Sequence, residues 1–146
     1  MILKPRIGID QLVFGLHQKQ VVDLLGKPDK VFTSEDDEDE TIYEYNQLRL
    51  RLNFYEHEQG KLGYITCSNP ELTLDGKRII GQPVKAVLKD VFSTYKDWDI
   101  ENYDYFDTYV NETSWVVLNS EYEAVTDIEI GVPHNEGDGT YNWPKV

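Results

Sequence analysis

The sequence predicts an α+β protein made of two tandem units, each a helix packed on an antiparallel β-meander, the two together forming a curved sheet. Three observations carry this expectation. Residues 48–56, LRLRLNFYE, alternate apolar and polar side chains, which is the period of a half-buried strand. Two short segments with helical spacing of apolar residues follow Gly15 and Gly81. A constant shift of 66 residues lays Gly15 on Gly81, Lys19 on Lys85, Val21 on Val87, Tyr43 on Tyr109, Leu50 on Val116, Leu52-Asn53 on Leu118-Asn119 and Leu62 on Ile128. The units are expected at 1–70 and 71–135, with a tail at 136–146.

The elements follow in order. In HQKQVVDLL (17–25), Val21, Val22, Leu24 and Leu25 share one flank of a helix, and Gln18, Lys19 and Asp23 face water. Gly26 suits the left-handed residue that ends a helix, and Pro28 forbids its continuation. Leu16 and His17 are poor N-caps. KVFTS (30–34) reads as a short strand, and the six acids Glu35 to Glu40 as an exposed loop, because like charges repel one another within a sheet. TIYEYN (41–46) and LRLRLNFYE are strands joined by a tight turn at Asn46-Gln47. EHEQG turns the chain into a further strand, KLGYITC (61–67). After the connector SNPE, LTLDGKRII reads as a hairpin with Asp75-Gly76 in its turn. Pro83 takes the first helical position, and Val84, Val87, Leu88 and Val91 recur at helical spacing. Tyr141 and Trp143 are expected to pin the tail to the body.

Charge limits the partners. The chain carries 27 acids against 14 bases, a formal net charge of −13. That field repels phosphate backbones and attracts basic proteins, so nucleic acid is not an expected partner. A single cysteine, Cys67, excludes an internal disulfide and reads as a small buried hydrophobe in a strand. The first residues, MILKPRIGIDQ, lack the apolar run of a signal peptide. No stretch approaches the ~20 apolar residues of a membrane helix. A cytoplasmic protein with no membrane contact is expected.

Catalytic signatures are missing. The histidines are His17, His57 and His134, and His57-Glu58 lacks the second histidine that a zinc-binding helix places four residues on. There is no glycine-rich phosphate loop and no Gly-x-Ser-x-Gly. The acidic run lacks the alternation and glycine of a calcium loop. No enzyme activity, cofactor or metal is therefore expected. Instead, the stretch KDWDIENYDYFD (96–107) interleaves carboxylates with aromatic rings, a composition suited to a basic protein surface. The candidate partner-binding residues are Asp36, Asp37, Glu38, Asp39 and Glu40 in the acidic loop; Trp98, Asp99, Tyr103, Asp104 and Tyr105 in this second stretch; and Trp115. Trp115, Val117 and Asn119 are expected on the outward face of their strand. There an exposed Trp and Val need a cover: a partner, a second copy in a homodimer, or the tail.

Gly15 followed by HQKQVVDLLGKP, with a weaker echo over 79–92, resembles the family of the β-lactamase-inhibitory protein and the small lipoprotein of the outer-membrane assembly machine. The resemblance implies a helical segment on a small antiparallel sheet, used twice, building a curved sheet that grips another protein. The chain departs from that family in having no secretion signal, no lipobox cysteine and no paired cysteines. With the acidic charge, the resemblance implies an immunity protein in a bacterium, of the kind met in contact-dependent inhibition. It would neutralise a basic nuclease-type toxin by occluding its active site. The alternatives are a small-molecule-binding or enzymatic domain on the same sheet, and a self-associating structural protein.

Overall fold

A computed structural model describes all residues except 37, 38, 136 and 146. Among the described residues the dominant element is one eight-stranded antiparallel sheet. Its first meander is β4 (Lys30–Thr33), β5 (Glu40–Tyr45), β6 (Leu50–Tyr55) and β7 (Lys61–Cys67). Its second is β10 (Asp99–Asn102), β11 (Asp107–Asn111), β12 (Val116–Glu121) and β13 (Ala124–Gly131). The strand order is β10-β11-β12-β13-β7-β6-β5-β4, so the last strands of the two meanders meet at the centre. There Ile128 pairs with Cys67 and Ile130 with Ile65. With helices as well as sheets, the architecture is mixed α+β.

One face of this sheet is dry. Leu50, Leu52 and Phe54 of β6 point into the core with Leu62, Ile65 and Cys67 of β7, Val116 and Leu118 of β12, and Val125, Ile128 and Ile130 of β13. The alternation in residues 50–55 thus fulfils its expected role: one side of the strand is apolar because it is covered. Burial also pushes the Cys67 thiol pKa up, as desolvation of a thiolate requires. The cover has several pieces. Helix α1 (Gln18–Leu25) contributes Val21, and α2 (Val84–Ala86) with the turn after it contributes Val84, Val87 and Phe92. A small sheet of β1 (Leu3–Lys4), β2 (Gly8–Ile9) and β3 (Leu12–Val13) adds Leu3, Ile9 and Leu12. The hairpin β8 (Thr73–Leu74) and β9 (Lys77–Arg78) is joined to this sheet by a parallel bridge between Ile2 and Thr73.

Several local expectations change. The turn between β5 and β6 spans Asn46 to Arg49, so Leu48 lies in it; Arg49 takes a left-handed φ of 53° and its N–H closes on the Asn46 carbonyl at 3.2 Å. Pro83 precedes the second helix, extended at ψ 129° and bridged to Ala124. That helix is regular for only three residues before widening into a π turn over Val87–Val91. The Phe92 N–H then reaches the Val87 carbonyl at 3.0 Å, and the wider turn delivers the Phe92 ring into the core. At α1, the weak cap His17 is compensated by Gln20, whose side-chain oxygen accepts from the His17 N–H at 2.9 Å. Glu40 opens β5 and leaves the acidic loop. Among the described residues no helix is long and apolar enough to cross a membrane.

Candidate functional site

The second face of the sheet is open and polar. Cross-strand partners share a face, so the register defines a row running the width of the sheet: Lys30, Glu44, Arg51, Thr66, Glu129, Val117, Val110 and Asp99. A parallel row of Asp127, Asn119, Thr108 and Glu101 crosses the second meander.

A connected network occupies the middle of this face. The Asn119 amide donates to Asp127 at 2.7 Å and to Glu129 at 2.6 Å, while its oxygen accepts from Thr108 at 2.9 Å. The Tyr64 hydroxyl, from across the β7–β13 seam, donates to the other oxygen of Glu129 at 2.8 Å. Thr126 donates to Asp127 at 3.4 Å. The donors to these two carboxylates, Asn119, Tyr64 and Thr126, are all neutral; among the described residues neither forms an ion pair. Burial raises the Asp127 pKa above the ordinary aspartate value, and the charges of Glu129 and Glu121 push the same way against the hydrogen bonds from Asn119 and Thr126. Tyr64 is raised strongly, by burial first and then by the charge of Glu129. The first meander carries a smaller polar contact on its own strands. Asn53 donates to Glu40 at 3.1 Å, but its buried oxygen has no partner, because Ile42 stands opposite it where Thr108 stands opposite Asn119.

A cavity of about 550 Å³ opens over this network. Its floor is Thr108, Asn119, Asp127 and Glu129, and its wall is Tyr103 and Phe106. Those two residues close the β10–β11 turn through a bond from the Tyr103 N–H to the Phe106 carbonyl, 2.9 Å, and their rings stack 4.6 Å apart. The Tyr103 hydroxyl donates to Glu101. Tyr105, at the tip, is 85% exposed. The arrangement offers a cation two carboxylates from below and ring faces from the side.

Asp127 yields a pH test. Its folded-state pKa is raised, so the folded protein holds this proton more tightly than the unfolded chain. Stability from this group is present below the unfolded value of about 3.9 and is lost as pH rises through the higher folded value. Relative to the native protein, Asp127→Asn is expected to gain stability between pH ~4 and pH 7. Urea unfolding of both proteins at the two pH values checks this; a difference independent of pH refutes it.

The structure separates the residues singled out from the sequence. Asp36 and Asp39 are exposed beside β4 and β5, Glu40 is half-buried in the sheet, and Asp37 and Glu38 lie outside the described residues. Asp99, Tyr103, Asp104 and Tyr105 are exposed on the β10–β11 hairpin. The two groups do not meet, since β12, β13, β7 and β6 lie between the hairpins that carry them. Trp98 is half-buried, edge-on to Phe92 at 5.9 Å and stacked on Tyr95 at 6.4 Å, so it belongs to the core margin. Trp115 is half-buried as well. It lies over Gly131, where an added Cβ would stand 2.2 Å from its ring, and stacks on His134 at 6.0 Å. The tail continues this cover: Tyr141 meets His134 edge-on at 4.5 Å and hydrogen-bonds His57 at 3.0 Å, and Trp143 lies under the Lys61 ammonium. Asp127, Glu129, Tyr64 and Phe106 were not among the expected site residues. The signal for two of them is visible in TDIEIG, where acids alternate with buried isoleucines.

No protein-family model matches the chain, and no curated protein matches it. Among solved structures, it is similar to an extracellular protein containing a SCP domain from Bacillus anthracis str. Ames, at a TM-score of 0.53 and 11% identity. The similarity covers 87% of this chain and 48% of that one, so the chain spans about half the length of the solved protein. At this identity the likeness concerns the fold alone.

Proposed function

We propose that this chain is a non-catalytic protein-binding inhibitor. It acts as an immunity protein in the bacterial cytoplasm, seated on a basic, nuclease-type toxin domain so as to occlude its active site. The observation that carries this reading is the Asp127–Glu129 pair: two neighbouring carboxylates on an open sheet face, held by neutral donors, with a stacked Tyr103–Phe106 wall beside them. Half-buried like charges without a cation are a standing cost in the free protein. A partner's arginine relieves it and gains a ring face as well. Domains that act on nucleic acid carry such arginines, because phosphate demands them.

The finer architecture belongs to the same proposal: one helix-on-meander unit used twice. Paired details support it. Gly15 donates to Leu62 and Leu62 to Leu16 at 2.9 and 2.8 Å; Gly81 donates to Val125 and Val125 to Gln82 at 2.7 and 2.9 Å. Arg49 and Trp115 both take left-handed φ values, 53° and 51°. The sheet register slips immediately after Asn53 in one meander and after Asn119 in the other. These matches make Val125 the counterpart of Leu62, in place of Ile128, because the β12–β13 turn is shorter than the β6–β7 connection.

Coexpression of the chain with its cognate basic nuclease-type toxin domain is expected to restore growth. The purified pair is expected to dissociate as salt rises from about 0.05 to about 0.5 M, since screening acts on the charge pairs. Growth unchanged by the chain, or no complex at low salt, sinks the proposal.

A further inference from the structure

A second polar hollow, about 520 Å³, lies away from the open face, where the turn after β1 meets the chain before β10 and the turn between β11 and β12. Bases outnumber acids in its lining. Arg6 and Lys96 both line it, and among the described residues neither pairs with a carboxylate, in a chain where acids outnumber bases 27 to 14. Arg6 is placed deliberately. Its backbone sits at φ 69°, a region costly for a residue with a side chain, and its guanidinium donates to the Ser114 hydroxyl at 3.3 Å.

The floor is polar where a core is expected. Buried polar residues are rare here, namely Asn111, Ser114 and Ser120 among the described residues, and the first two line this hollow. At the matching turn between β5 and β6, the strand ends on Tyr45 and the turn carries Leu48, both packed on the core. Asn111 holds the chain before β10 by donating to the Lys96 carbonyl at 2.7 Å, and its oxygen accepts from the Ser114 N–H at 3.1 Å. Two basic residues thus line a hydrogen-bonded floor, with one acid, Asp97, among the lining residues.

We propose that this hollow is an oxyanion-binding site, taking a phosphate or carboxylate group between the Arg6 guanidinium and the Lys96 ammonium. Charge-assisted bonds from Arg and Lys are the strong donors for such a group, and the chain's overall negative field is screened beyond about 8 Å at physiological salt. The site is independent of the partner-binding face.

Titration of the full chain with inorganic phosphate, with acetate, and with chloride at matched ionic strength, followed by amide chemical shifts, tests it. Phosphate or acetate is expected to shift the amides of residues 94–97 and 111–114 with a dissociation constant of roughly 1 mM, and chloride is not. Phosphate alone, acetate alone or both acting assigns the class within the oxyanions. Arg6→Gln and the exposed Lys96→Gln are each expected to weaken binding about tenfold, and Asp97→Asn to tighten it several-fold. Equal shifts with chloride, or shifts that survive in both Gln variants, overturn the assignment.

Discussion

Replacing Asp127 and Glu129 together, by Asn and Gln, is expected to weaken binding of the proposed basic partner about 100-fold while leaving the fold intact. The size follows from the geometry. Both carboxylates already sit half-desolvated in fixed positions, oriented by Asn119 and Tyr64, so a docking arginine meets preorganised acceptors. Removing them leaves that arginine buried without a counter-charge, the more costly half of breaking such a pair. Glu121, on the cavity rim, serves as the contrast: Glu121→Gln should slow association and reduce salt sensitivity with little effect on dissociation. Isothermal titration against the nuclease domain reads the first effect, and stopped-flow kinetics the second. An affinity unchanged in the double variant removes the open face from the interface.

The second large effect is on stability. Gly8→Ala is expected to destabilise the protein by about 3 kcal/mol or more, lowering its melting temperature by roughly 10 °C. Gly8 lies at φ 151°, and an added Cβ would stand 1.8 Å from the Leu12 backbone oxygen. Neither atom can yield, because Gly8 pairs with Val13 and Ile9 with Leu12 across β2 and β3. Those strands hold Ile9 and Leu12 in the layer that covers the core, so a shift there opens the core itself. Gly76→Ala is the control. Gly76 also has a positive φ, 78°, but open space around it, and should cost only about 1 kcal/mol. Equal losses in the two variants, read by denaturant unfolding, would show that crowding at Leu12 plays no part.

Much of the local structure was legible. The alternation over residues 50–55, the stop at Gly26 and Pro28, and the Asp75-Gly76 turn each rest on a preference acting within a few residues. In that turn both residues take positive φ, 52° and 78°, as its two-residue geometry requires. The candidate site was legible only in its exposed aromatic rim. Tyr103 and Tyr105 are where their composition placed them, whereas Trp98, equally aromatic, went to the core margin beside Phe92. Nothing within KDWDIENYDYFD distinguishes one fate from the other, because burial depends on what arrives from elsewhere in the chain.

By itself, then, the order of amino acids determined the strands of the first meander, the apolar face of β6 and what sign of charge the surface bears, since these follow from side-chain chemistry and short-range backbone preference; it did not mark β1 to β3 or β10. Only the tertiary structure decided that the two meanders join through β7 and β13. That junction brings Tyr64 within 2.8 Å of Glu129, 65 positions away in the chain. Pairing between distant strands is set by the fit of whole faces rather than by any local signal, and the polar network at the centre of the open face exists because of that fit.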